Sequence, residues 1–184
     1  MRKIAQFILW IARWKVDPVP AGVKKAVIVV GPHTSNWDFF IGKMAFISYG
    51  MRTKILIKKE AFVFPISWLL KLMGGVPVDR KKNNNLTDQA VKYFEERDTL
   101  YMLFTPEATR SYNPKWKKGF YYIAQKAKVP IYIGFIDYKN KRGGFHSLFE
   151  PTGDVEKDIR YIKEVLCIFS GRHPENGIRH PDDE

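Results

Sequence analysis

After a break at Pro18 and Pro20, short β-branched or aromatic runs alternate with longer stretches of helical period, and few folds accept that order. The spacing predicts strands at Ala26–Val30, Lys54–Lys58, Val76–Asp79, Leu100–Phe104 and Ile131–Ile136. Between and after them it predicts helices at Asn36–Tyr49, Pro65–Met73, Thr87–Arg97, Lys118–Ala127 and Asp154–Phe169. Strands joined by helices cannot pair as hairpins, so the expected class is α/β: a single domain with a mostly parallel central sheet flanked by helices. The 184 residues suit one core, and no repeat or Gly/Ser-rich linker divides them. The expected boundaries are 1–15 for an N-terminal helix, 16–170 for the main domain and 171–184 for a polar tail. The Pro- and Gly-broken end of that tail is expected to fray.

At 100° per residue, Ile4, Phe7, Ile8, Ile11 and Trp14 share one side of the first helix, with Arg2, Gln6 and Arg13 opposite. Such a helix either packs on its own domain or lies in a membrane interface with its apolar side down. Charge bears on the choice. The chain carries 31 Lys and Arg against 19 Asp and Glu, a net +12, of which residues 1–60 hold +8. A basic balance of this size calls for an anionic partner: nucleic acid, a membrane surface or a phosphorylated substrate. No apolar run reaches the roughly 18 residues of a transmembrane helix, and Arg13 replaces the small residues of a signal-peptide cleavage site. The single cysteine, Cys167, excludes an intramolecular disulfide and a cysteine-cluster zinc site, and favours cytoplasmic exposure.

Three strand ends carry polar residues suited to chemistry. VIVVGPHTSNWD sets His33 and Asp38 five residues apart across a strand-to-helix turn. In one reading Thr34, Ser35 or Asn36 caps the helix and Asp38 sits in its favourable first turn. In the other, Asp38 accepts one imidazole N–H and frees the second nitrogen of His33 to take a proton from a hydroxyl. GGVPVDR then places Arg80 after the third strand, and LYMLFTPEATRS places Glu107 and Arg110 after the fourth. Ligands of parallel sheets bind beyond the carboxyl ends of the strands, so these groups gather on one edge if the strands are parallel. An arginine fork there matches phosphate oxygens. Ser35 fits a cap better than an acyl-carrying nucleophile, and Cys167 reads as a core cysteine. His146, His173 and His180 lack metal-ligand spacing, so no metal is expected.

Four blocks between Val27 and Tyr138, in order, resemble the glycerolipid acyltransferase family: HTSNWD its HxxxxD box, GGVPVDR its GxxFxxR box, PEATRS its EGTR box and VPIYIGF its closing strand. The resemblance implies transfer of a fatty acyl group from acyl-CoA or acyl carrier protein to a lipid hydroxyl, with that thioester as co-substrate and no further cofactor. It implies His33 as general base, Asp38 as its orienter, and Arg80, Glu107, Thr109 and Arg110 as substrate-binding residues. The implied acceptor is 1-acylglycerol-3-phosphate, and the implied place is the cytoplasmic face of a membrane, peripherally bound. Pro77 stands where the second box has Phe, and Ala108 where the third has Gly, so another acceptor such as a lyso-ornithine lipid stays open.

RSYNPKWKKGFYYIAQKAK interleaves cations with aromatics after the third box. Lys117 and Lys118 are candidates for holding the donor's phosphates or a lipid headgroup. The same pattern could stack nucleobases in a non-enzymatic nucleic-acid module. That alternative leaves the three strand-end sites without a task, and no nucleic-acid partner is expected.

Overall fold

The protein is described by a computed structural model covering residues 1–19, 22–78 and 86–183. Its strands are β1 (Lys15–Val16), β2 (Lys25–Gly31), β3 (Thr53–Lys58), β4 (Gly75–Val78), β5 (Leu100–Phe104), β6 (Ile131–Asp137) and β7 (Arg142–Phe149). Its helices are α1 (Arg2–Ile11), α2 (Trp37–Tyr49), α3 (Ile66–Leu72), α4 (Leu86–Glu95), α5 (Gly119–Ala127) and α6 (Val155–Leu166). The strands form one sheet in the order β1-β7-β6-β2-β5-β3-β4, parallel except where β7 runs antiparallel to β6. This is the expected α/β class, and the five predicted strands and five predicted helices are present with ends shifted by a few residues. Asp79, placed at the end of the third predicted strand, lies outside the described residues, as does Arg80.

Strands buried on both faces explain the continuous apolar runs in the sequence. On one face Val27, Val29, Met102, Ile131 and Ile133 meet α4, α5 and α6 through Ala90, Phe94, Phe120, Ile123, Ile159 and Ile162. Fully burying a side chain such as Ile131 contributes about 2 kcal/mol. On the other face Ala26, Ile28 and Tyr132 pack under Phe46 of α2 and Phe145 of β7. α1 lies on α2, with Ala5 and Leu9 turned inward and Arg2 Nε donating to the Ser48 carbonyl at 2.8 Å. On the far side of α2, Lys43 Nζ donates to the Met73 carbonyl just past α3, at 2.9 Å. Right-handed crossovers put α2 and α3 on the same face, so α1, α2 and α3 form one layer.

Two features depart from the sequence reading. β7 and the short β1 beside it are absent from the sequence-based expectations: RGGFHSLF carries two glycines, Gly143 and Gly144, and β1 is two residues long. Here the glycines make room: a Cβ on Gly144 would stand 2.6 Å from the Asp17 Cβ. The tail expected to fray is instead packed on the domain. Gly171 lies so close to Thr34 that a Cβ would meet its side chain at 2.6 Å, and Ile178 presses on Gly31. His173 N–H donates to Thr34 Oγ1 at 3.1 Å, Arg179 stacks over Tyr112, and Asp182 pairs with Arg160. One apolar side chain and one close backbone approach outweigh the tail's polar composition.

Candidate active site

β2 ends at Gly31 and the chain turns through Pro32 and His33 into α2, so His33 stands over the carboxyl edge of the sheet. Its Nδ1 lies 3.1 Å from Asp38 Oδ2. Asp38 is almost fully buried, and the same oxygen accepts the N–H groups of Thr34 and Ser35, each at 2.8 Å. Its other oxygen accepts the Tyr138 hydroxyl at 2.7 Å. The carboxylate thus caps the turn and orients the imidazole at once. Of the expected caps, Ser35 Oγ takes the Trp37 N–H at 3.2 Å, whereas Asn36 makes no cap bond. Burial alone would raise the Asp38 carboxyl, but the hydrogen bonds from His33, Tyr138 and Ser35 together hold it below 3.8. An ionised carboxylate on Nδ1 favours the tautomer whose Nε2 has a free lone pair, which can accept a proton.

Glu107, just past β5, is 5% exposed and turns inward, where its Oε2 and Oε1 accept the His33 backbone N–H at 2.9 and 3.2 Å. Burial pushes its carboxyl from 4.5 up to about 7, against the pull of the His33 N–H and with the Asp38 charge adding to the rise. Glu107 therefore braces the histidine turn from behind and does not face outward toward a phosphate. Asn113 Nδ2 fixes the loop by donating to the Glu107 carbonyl at 2.8 Å.

Arg110 reaches the histidine turn from its own loop, donating to Asn36 Oδ1. Thr109 is exposed on the same loop and accepts the Ser111 N–H at 3.3 Å. Between them and Glu107, Ala108 has φ +56°, the left-handed region where the resembled box carries glycine. Lys117 and Lys118 line an open cleft of about 600 Å³ beyond β5, with Lys118 paired to Glu156. That cleft shares Ile55, Leu103 and Thr105 with the cavity beside His33.

Beneath α2 a cavity of about 330 Å³ opens beside His33 and Asp38. Its walls are predominantly apolar, from Val30, Phe39, Phe46, Ile55, Leu103 and Ile136, as a hydrocarbon chain requires. Two residues packed against the His33 turn and the start of α2 carry no mark in the sequence analysis. Tyr138 follows β6 directly, and the strand-end rule that flagged Arg80 and Glu107 would have found it. Arg172 lies over the Trp37 ring at 5.6 Å and carried no signal within a segment read as frayed. In the cation-rich stretch after Arg110, Trp116, Phe120 and Tyr121 are buried, which leaves Tyr122 as the exposed ring among these four.

The fold is similar to the crystal structure of the 1-acyl-sn-glycerophosphate (LPA) acyltransferase PlsC from Thermotoga maritima. The TM-score is 0.62 at 18% identity, over 90% of this chain and 74% of that one. Among curated proteins none matches the sequence. The acyltransferase family profile matches residues 14–133, which include the dyad, the brace and the cavity walls of β2, α2, β3 and β5. The chain belongs to the acyltransferase family, the one its motifs resemble.

Proposed function

We propose that the protein transfers a fatty acyl group from acyl-CoA or acyl carrier protein to the free hydroxyl of 1-acylglycerol-3-phosphate, giving phosphatidate. The observation that carries this is the His33–Asp38 pair at the mouth of an apolar cavity. The acyl chain lies in the cavity and its thioester carbonyl comes to rest beside the imidazole. His33 Nε2 removes the proton of the acceptor hydroxyl, whose oxygen attacks the carbonyl carbon. The tetrahedral intermediate collapses, the C–S bond breaks, and the imidazolium returns the proton to the departing thiolate. No enzyme-bound acyl group and no further cofactor are needed. Arg110, held by Asn36, and Arg172 beside Trp37 offer cations for the acceptor's phosphate, joined by Arg80 as the resemblance assigns. The similar Thermotoga enzyme is named for lysophosphatidate, which supports that acceptor.

α1 supports a peripheral place on the cytoplasmic face of a membrane. Its inner side spends only Ala5 and Leu9 on the domain, and Ile4, Phe7, Ile8, Trp10 and Ile11 are exposed. An unpacked apolar side of this size suits the interfacial reading of the helix.

Acyl transfer is measured with purified protein in mixed micelles, offering acyl-CoA and acyl carrier protein as donors and lysophosphatidate as acceptor. Wild type is expected to form phosphatidate and His33→Ala to lose about 10²- to 10⁴-fold in rate. Transfer to a lyso-ornithine lipid but not to lysophosphatidate would replace the acceptor. An unimpaired His33→Ala would remove the proposed base.

A further inference from the structure

α1 is not the sole apolar element of its layer. The segment between β3 and α3, continuing into α3 itself, exposes Phe64 at 96%, Trp68 at 72%, and Val63 and Ile66 by about half. At the start of α2, Trp37 and Phe40 are each 56% exposed and pack ring against ring at 5.7 Å. Single exposed apolar residues are ordinary, but bulky side chains clustered on three neighbouring elements of one layer mark a contact surface.

We propose that residues 62–68 form a second footing on an anionic phospholipid leaflet, across α2 from α1, so that the mouth of the acyl cavity opens between two lipid contacts. This rests on the lipid-acyltransferase reading and deepens it. Three observations favour a leaflet over a protein. The rings are Trp and Phe beside cations: residues 51–74 contain five Lys or Arg and one acid, Glu60. Aromatic side chains flanked by cations suit the boundary between acyl chains and phosphate headgroups. A second copy on this surface would set two basic layers face to face, in a chain of net +12. The cavity lies under α2, the helix that carries α1 on one side and meets the end of α3 through Lys43 on the other, with Phe39 in its wall and Phe40 packed against Phe39. A lipid acceptor and an acyl chain then reach His33 from the leaflet without crossing water.

The test measures partition of the full chain to vesicles of phosphatidylcholine with and without phosphatidylglycerol. Wild type is compared with Phe64→Ser/Trp68→Ser, with Phe7→Ser/Trp10→Ser on α1, and with all four changes together. Because the replaced side chains are exposed, circular dichroism and melting temperature are expected to match wild type. Each pair should weaken partition to the anionic vesicles by at least about tenfold, and the quadruple variant should barely bind. Quenching of Trp68 by brominated lipid, read as the signal lost in Trp68→Phe, should show the ring at the acyl boundary. Undiminished partition of Phe64→Ser/Trp68→Ser would overturn the second footing. So would a wild-type dimer, seen by light scattering, that this variant converts to a monomer with vesicle binding intact. Acyl transfer to a short-chain, water-soluble lysophosphatidate separates the two claims. Its absence in wild type defeats lysophosphatidate as the acceptor while the partition data still decide the footing.

Discussion

At the scale of single residues, the buried carboxylate of Asp38 governs the site, and Tyr138 is the partner through which that can be tested. Tyr138→Phe removes one donor from Asp38, leaving more of its charge to bear on His33. The carboxylate is then less firmly held against the imidazole, so kcat should fall about tenfold with KM little changed. A normal kcat would show that the hydroxyl does not act on the dyad. Glu107 sets a second expectation, with the sign fixed by its raised carboxyl. The folded chain holds this proton more tightly than the unfolded one, so stability from Glu107 is full below 4.5 and is lost as pH rises to about 7. The loss is roughly 3 kcal/mol. Glu107→Gln can still accept the His33 N–H but does not ionise, so its melting temperature should overtake that of wild type across this window. Parallel melting curves from pH 4.5 to 7 would count against a raised carboxyl. His33, Asp38 and Glu107 were legible because strand ends are visible in a sequence. The inward turn of Glu107 was not, since it depends on packing between loops 74 residues apart.

At the scale of elements, legibility followed apolar period. β2 and β6 are apolar runs buried on both faces, β5 is an apolar run half-buried on one of them, and α6 repeats its apolar residues at helical spacing, so each could be read from the chain alone. β7 is half covered, begins with glycines and alternates only weakly, and a two-residue strand such as β1 has no period at all. The amphipathic period of α1 was visible, but which side it buries was not, because that choice depends on α2. The exposed side provides a third expectation. Phe7→Ser/Trp10→Ser should lower vesicle binding while leaving the melting temperature within about 1 °C, as surface changes away from caps and core do. Leu9→Ala, at 5% exposure, should instead cost about 2–3 kcal/mol in chemical denaturation. Equal thermal losses for the two would mean that the outer side is packed after all.

At the scale of the whole molecule, the last residues close the fold behind its chemistry. Composition could not announce this, because Ile178 is one apolar side chain in a polar stretch and Gly171 acts by having no side chain. Ile178→Ala should therefore destabilise the whole domain by about 2 kcal/mol in urea, and a chain ending at Ser170 should lose activity along with stability. An unchanged unfolding midpoint for both would return the tail to the status of an appendage. The order of the sheet has its own consequence. Its outer strands are β1, two residues long, and β4, which carries Pro77 in place of the phenylalanine of the resembled box. Proline donates no hydrogen bond, and a two-residue ladder offers almost no template, so neither border of the sheet can readily recruit a strand from another molecule. Wherever many copies crowd together, Pro77 therefore also keeps neighbouring sheets from zipping into fibrils.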